Sequence, residues 1–145
     1  MNAQVVTTKS MQDDVIALLR SCKLPYQDLI VESNLLVSYH DDKGKIIGSG
    51  GLEFYSAYAL LRSVAVEETQ RGTAVGKQIV ADMLLRAKQA GVCEVYLLTE
   101  TAHDFFLRRG FSDINRELVP EEVKASTEFS SVCPITASVM VYRMQ

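Results

Sequence analysis

The sequence predicts a single mixed α/β domain, and three observations carry that prediction. The run Leu60-Leu61-Arg62-Ser63-Val64-Ala65-Val66 has the composition and length of a buried strand. Directly behind it, Arg71-Gly72-Thr73-Ala74-Val75-Gly76 is a small-residue turn, and it opens a segment whose apolar residues keep the 3.6-residue helical period: Val75, Ile79, Val80, Met83, Leu84 and Ala87. A second apolar strand, Val92 to Thr99, follows. Two strands joined by a crossover helix are expected as parallel neighbours with a right-handed connection.

The other elements are read in order. Gln4 to Lys9 is a first strand, and Ser10 opens a helix with Asp13 and Asp14 in its first turn and Val15, Leu18 and Leu19 as its apolar stripe. After the loop Leu24-Pro25-Tyr26 a short helical turn is expected near Asp28 to Val31. Leu35 to Tyr39 and Lys45 to Phe54 form a hairpin around Asp41-Asp42-Lys43-Gly44. Tyr58 to Val66 is the strand before the glycine turn, and the helix after that turn stops at Gly91, a residue suited to the position beyond a helix end. Thr101 is expected to cap a short helix, with Asp104 three residues on, that ends at Gly110-Phe111. Ser112 to Arg116 is a strand, Pro120 with Glu121 and Glu122 starts a last helix, and Ser138 to Tyr142 closes the chain as a strand.

Composition excludes several classes. With 48% apolar and 23% charged residues the chain is globular rather than disordered. Net charge is −3 and no cluster of Lys and Arg stands out, which argues against a nucleic-acid surface. No apolar stretch approaches the ~20 residues of a membrane span. The start, Met1-Asn2-Ala3-Gln4-Val5, has neither a basic region nor an apolar run after it, so a cytoplasmic protein is expected. Cysteines at 22, 93 and 133 fit neither a disulfide framework nor a zinc knuckle, and Cys22 and Cys93 are expected as buried small apolar residues. Only His40 and His103 are available besides, so no metal site is expected.

The turn carries the chemistry. A small-residue turn that feeds a helix leaves backbone N–H groups pointing outward at the positive end of the helix dipole, an arrangement suited to a phosphate or pyrophosphate. Bulky side chains would hold a phosphate away from the backbone. It is no P-loop, since no Gly-Lys-Ser/Thr follows, and its glycines are wrongly spaced for a dinucleotide fingerprint. Taken alone, such a turn can also be a plain tight connection.

Two stretches together, "LLRSVAVEETQRGTAVGKQIVADML" and "GVCEVYLLTETAHDFFLRRGF", resemble the core of the GNAT N-acetyltransferases, which bind acetyl-coenzyme A. The family's Arg/Gln-x-x-Gly-x-Gly/Ala motif falls on Arg71 to Gly76, with Ala74 where the middle glycine stands. "LLTETAHDFFLRRGF" and "LVPEEVKASTEFSSVCP" look most like the arsenic-resistance-associated N-acetyltransferases and the acetyltransferase domain of bacterial N-acetylglutamate synthase. The resemblance is strong from Leu60 to Pro134, and the order of elements extends it to nearly all of residues 1–145. It implies a GNAT-type α/β (α+β) fold: a central mixed, mostly antiparallel sheet with one splayed parallel pair, flanked by helices.

The resemblance also implies the site. Acetyl-CoA would enter the wedge between Tyr58–Val66 and Val92–Thr99, with its pantetheine arm on the backbone of Val64 and Val66. Both valines also suit a plain core role. Arg71, Gly72, Thr73, Ala74, Val75 and Gly76 would hold the pyrophosphate, and Lys77 would add charge. Ala74 is tolerable there if its φ is negative. The acetyl group would pass directly to an amine, which needs a route for the amine proton and protonation of the departing thiolate. Many family members supply a tyrosine acid where this chain has Phe106, and others a glutamate base where it has Leu60. Glu53, at the end of "GGLEF", is the first choice as base, against a solvated strand-end carboxylate. Arg62, in an otherwise apolar strand, either grips an acceptor carboxylate or pairs with an internal acid such as Glu53 or Glu100. His103 reads as an ordinary helix-face histidine, and Cys133-Pro134 could line the acceptor pocket or simply pack. The implied acceptor is a small-molecule amine, an amino acid or amino-acid-like toxin among the candidates, and a homodimer is left open. The competing reading is a non-catalytic acetyl-CoA-binding sensor or partner domain.

Overall fold

In the computed structural model, which describes residues 1–26, 34–126, 129 and 136–144, one seven-stranded sheet organises the chain. Its strands are β1 (Asn2–Val5), β2 (Leu35–His40), β3 (Ile46–Tyr55), β4 (Tyr58–Val66), β5 (Glu94–Thr99), β6 (Ser112–Asp113) and β7 (Ser138–Arg143), in the order β1-β2-β3-β4-β5-β7-β6. Four helices accompany them: α1 (Lys9–Ser21), α2 (Val75–Gln89), α3 (His103–Arg108) and α4 (Glu121–Lys124). The turn expected near Asp28 to Val31 and the Cys133-Pro134 pair lie outside the described residues.

Every pairing is antiparallel except β4 with β5. That parallel joint comprises Tyr58↔Glu94, Ala59↔Val95 and Leu60↔Tyr96. Beyond Leu60 the two strands part, so among the described residues the C-terminal half of β4 has β3 on one edge and no strand on the other. The parallel pair and its crossover helix are as the sequence predicts.

Burial follows the strand alternation. Leu61, Val95 and Leu97 face α2, where they meet Ile79, Val80 and Met83. On the other face, Leu60 and Tyr96 pack under Val123 of α4, while Leu36 and Ala65 pack under Val15, Leu18 and Leu19 of α1. Among the described residues, the space between α1 and α4 therefore lies over the middle of β3 and β4.

Several boundaries differ from the sequence reading. The first strand ends at Val5 and α1 begins at Lys9, because Thr8 is the residue in extended conformation (φ −120°) whose side chain accepts the Met11 N–H at 3.2 Å. Ser10 lies inside the helix, and Asp13 and Asp14 fall beyond its first turn. Thr101 does not cap α3. The N-cap is Ala102, without a side-chain bond, and Thr99 Oγ1 instead accepts the Ala102 N–H at 3.0 Å. β6 stops at Asp113, since Asn115 turns the chain into a 3₁₀ segment, Arg116–Leu118. Pro120 is the cap of α4 rather than its first residue. Cys22 is half-buried and Cys93 exposed, so neither is the buried residue expected.

Candidate functional site

The turn after β4 runs through a 3₁₀ segment, Glu68–Gln70, and reaches α2 without a side-chain cap. Val75 N–H donates weakly to Thr73 Oγ1 at 3.4 Å, the N-cap Ala74 offers no side chain to the N–H groups that follow, and the positive helix end stays exposed. Gly72 stands at φ +81°, where a residue with a Cβ is strained, and Ala74 at φ −79°, where alanine fits. Arg71 turns back onto the sheet: its Nε donates to the Val66 carbonyl at 3.2 Å and its Nη2 to Cys22 Sγ at 3.4 Å.

A cleft of about 460 Å³ opens beside this turn. Its walls are Val64 and Val66 of β4, Gln70 to Thr73 and Gly76 of the turn, and Ala102, Phe105, Phe106 and Arg108 of the α3 region. Of the residues the sequence marks for a cofactor, Val64, Val66, Arg71, Gly72, Thr73 and Gly76 come together here, while Ala74, Val75 and Lys77 line neither this cleft nor the next. Sequence reasoning missed Gln70, Phe105 and Arg108. The signal for Arg108 was present in "FFLRRGF", a cation one helical step from the motif's aromatic residues.

A second cleft of about 430 Å³ shares Val64, Val66, Arg71, Ala102 and Phe106 with the first. Its further walls are Cys22 to Pro25 after α1, Leu61 to Ser63 and Ala65 of β4, and Leu97 to Thr101. The two spaces meet where β4 and β5 part. A linear group held on the turn could therefore extend its end into the second cleft. Lys23, Arg62 and Arg71 are the cations on that second cleft, and Glu100 is its one acid among the described residues.

Glu53 and Arg62 sit on neighbouring strands and on the same face, because Gly51 is paired with Arg62 and Glu53 is two residues on. They are 8% and 5% exposed, low enough that each charge needs a partner. Arg62 Nη1 donates to Glu53 Oε2 at 2.9 Å, and the Tyr55 hydroxyl donates to Glu53 Oε1 at 2.6 Å. Of the two internal acids considered for Arg62, it is Glu53 that pairs with it. Burial, then the bond to Glu53, pushes the Tyr55 phenol up, so it remains a donor. Arg62 Nε reaches Ser63 Oγ at 3.2 Å. Arg62 and Ser63 line the second cleft, whereas Glu53 lies beside a small hollow behind it.

Phe106 is 7% exposed and packs edge-on against Phe105 and Phe111, with centroids 5.1 and 5.5 Å away. Leu60 is fully buried under α4. The familiar acid and base positions therefore hold packing residues.

His103, read as an ordinary helix-face histidine, ties α3 to the sheet edge. Its Nε2 meets the Asp113 carboxylate at 2.8 and 3.0 Å, and its Nδ1 meets Asp104 at 3.1 Å. These hydrogen bonds, Asp113 foremost, hold the imidazole above the ordinary histidine pKa. Its stabilising contribution is therefore fully present below the unfolded value of 6.5 and is lost as pH rises through the raised folded value. We expect the melting temperature of His103→Gln to lie below wild type at pH 6 and the difference to shrink as pH rises, measured by calorimetry at a series of pH values.

Comparison with known proteins agrees with this geometry. Residues 32–113 match the acetyltransferase (GNAT) domain family. An uncharacterized N-acetyltransferase of Chlorobaculum tepidum is 34% identical over 84 residues, which cover 57% of this chain and 54% of that protein. An amino-acid acetyltransferase of Mycobacterium tuberculosis is 30% identical over 131 residues, covering 81% of this chain and 74% of its own length. The chain thus spans about half of the first relative and about three quarters of the second. Among solved structures, N-acetylglutamate synthase from Neisseria gonorrhoeae, complexed with coenzyme A and N-acetyl-glutamate, shares the fold at a TM-score of 0.80 and 14% identity. That match takes in 100% of this chain and 36% of the other. The match across the sheet, the glycine turn and the short aromatic helix is decisive: the chain belongs to the GNAT acetyltransferase family.

Proposed function

We propose that this protein is an acetyl-CoA-dependent N-acetyltransferase that acetylates the amine of a small acceptor bearing a carboxylate, of the amino-acid class. One observation carries the reading. The exposed start of α2 and the parting of β4 from β5 lie on one continuous pair of clefts, so an anion on the turn and a thioester at the strands fit a single ligand. The pyrophosphate of acetyl-CoA rests on the backbone between Arg71 and Gly76, with Thr73, Ala74 and Val75 shaping the turn and Lys77 adding charge from the helix. The pantetheine arm pairs with the unladdered edge of β4 at Val64 and Val66, as an added strand does. The cofactor supplies the activated acyl group, and the chain supplies its alignment with the amine.

The acceptor class follows from charge. With Arg62 neutralised by Glu53, Lys23 and Arg71 stand against Glu100 on the second cleft among the described residues, a balance that favours an anionic acceptor, and the Mycobacterium tuberculosis relative carries the name amino-acid acetyltransferase. Lys23 stands at the rim for the acceptor carboxylate. For Glu53 two roles compete. As base it would have to exchange Tyr55 or Arg62 for an amine or a water. As an internal anchor it keeps both, and the engagement of both its oxygens favours that second role.

The test begins with calorimetry of coenzyme A on the folded protein, followed by thiol release over a panel of amino acids and of amines lacking a carboxylate. Release with the amino acids is expected. Tight binding without release over the whole panel would establish the non-catalytic module instead.

With phenylalanine where many relatives carry an acid, the departing thiolate takes its proton from water or another donor. Phe106→Leu should therefore cost packing, about 1–2 kcal/mol from the altered shape and two lost ring contacts. Turnover per folded molecule should stay within about threefold of wild type. Chemical denaturation and acetyl-transfer kinetics on the same preparation check both parts; a loss of three orders of magnitude in rate would give the ring a chemical role.

A further inference from the structure

β4 is irregular where it enters the cleft. Ser49 pairs with Ala65 and Gly51 with Arg62, so Gly50 alone faces two residues of β4, Ser63 and Val64. This is a bulge, and Ser63 takes it at φ +57°, a left-handed conformation that serine enters only at a cost. The extra residue shifts the strand's phase. Without it, Val64 would turn toward the α1 side; with it, Val64 and Val66 face α2 and α3 and line the first cleft. The phase also decides which backbone groups of β4 lie along the edge that β5 has left.

Two contacts hold the strained residue directly, and a third backs one of them. The Ser49 hydroxyl donates to the Ser63 carbonyl at 2.7 Å, Arg62 Nε donates to Ser63 Oγ at 3.2 Å, and Glu53 fixes Arg62 at 2.9 Å. Glu53 is fixed in turn by Tyr55, whose hydroxyl donates to its Oε1 at 2.6 Å. Every member of this chain except Tyr55 is buried.

We infer that Glu53 and Arg62 are positioning residues that act through Ser63: the buried ion pair clamps the bulge and thereby sets the backbone edge of β4 on which the thioester is aligned. The inference rests on the acetyl-transfer reading for its kinetic arm and on geometry alone for its structural arm.

The experiment pairs each clamp variant with a residue that does not need the clamp. Arg62→Lys keeps the charge but loses the Nε donor, and Ser49→Ala loses the hydroxyl without touching any charge. Each should lower kcat about tenfold while the acceptor KM stays within about twofold. Glycine adopts a positive φ without strain, so adding Ser63→Gly to either variant should recover at least about half of the lost rate on a logarithmic scale. Glu53→Gln should lower kcat at every pH and leave its acid limb in place, because no titrating base has been removed. Independently of activity, amide hydrogen exchange at Val64 and Val66 should quicken in Arg62→Lys and Ser49→Ala and slow again with Ser63→Gly. Exchange unchanged in both variants would overturn the clamp, as would an acceptor KM that rises with kcat intact or an acid limb lost in Glu53→Gln. If the wild type binds no coenzyme A, the functional reading fails, and the exchange measurement still decides the clamp.

Discussion

Gly76→Glu is expected to weaken coenzyme A binding about a hundredfold, or nearly 3 kcal/mol. A Cβ at Gly76 would lie 3.3 Å from Phe105 Cζ and 3.5 Å from Val66 Cγ2, between the two walls of the first cleft. The added carboxylate would then occupy the space proposed for the phosphates and oppose their charge. It would also sit in the first turn of α2, where an acid suits the dipole, so the fold should tolerate it. Gly72→Val tests the same turn by another route. Nothing lies within 4 Å of a Cβ at that position, so no clash arises, and the cost is purely the positive φ. A β-branched residue there forces the turn to move, which should cost about tenfold in affinity. Calorimetric titration with coenzyme A, with circular dichroism to establish folding, measures both. Unchanged affinity in two folded variants would remove the phosphate from this turn.

Gly48→Val should be the most damaging change to the fold among those considered. β3 passes so close to α2 that a Cβ at Gly48 would come within 2.4 Å of Ile79 Cδ1 and 3.0 Å of the Ala65 carbonyl. The isoleucine end can swing aside, but the backbone of β4 cannot. Overpacking of this kind costs up to about 3 kcal/mol, which for a domain of this length lowers the melting temperature by roughly 6–12 °C. Ile79→Ala in the same chain should return part of that loss by making room on the helix side. A double-mutant cycle in urea reads the coupling, and strict additivity would show that the strain falls on β4 alone.

Legibility in the sequence tracks how far a feature depends on neighbours distant along the chain. β4 and α2 were legible to within a residue or two because their own apolar period specifies both conformation and buried face. The start of α1 was misplaced because Thr8 and Ser10 are both hydroxyl residues. The pairing of Asn2–Val5 with Val37–His40, which ends β1 early, lies some thirty positions away. The cofactor half of the site was readable from one contiguous motif. The acceptor half was not, since Cys22 to Pro25 reach that cleft only through the packing of α1 on the sheet. An association of Glu53 with Arg62 could be anticipated from two charges in apolar strands. The bulge between them could not, because serine carries no preference for a positive φ and the conformation is imposed by Ser49 and Arg62 from outside.

The joint between β4 and β5 has a consequence for how the molecule is assembled. Strands β1 to β4 neighbour one another in chain order, apart from the helix after β1, whereas β5, β7 and β6 form a second leaf joined to the first by three residue pairs. Hairpin pairing of sequence neighbours closes short loops, while the joint waits on a full crossover and on a final strand arriving from the end of the chain. The first leaf should therefore take shape early on the folding pathway and the second should dock late. Pulsed hydrogen exchange would show this as protection at Ser38 and Leu52 before Val95 and Met140. The opening that receives the cofactor would then be the last part of the protein to exist, born when the two leaves meet rather than carved from a finished core.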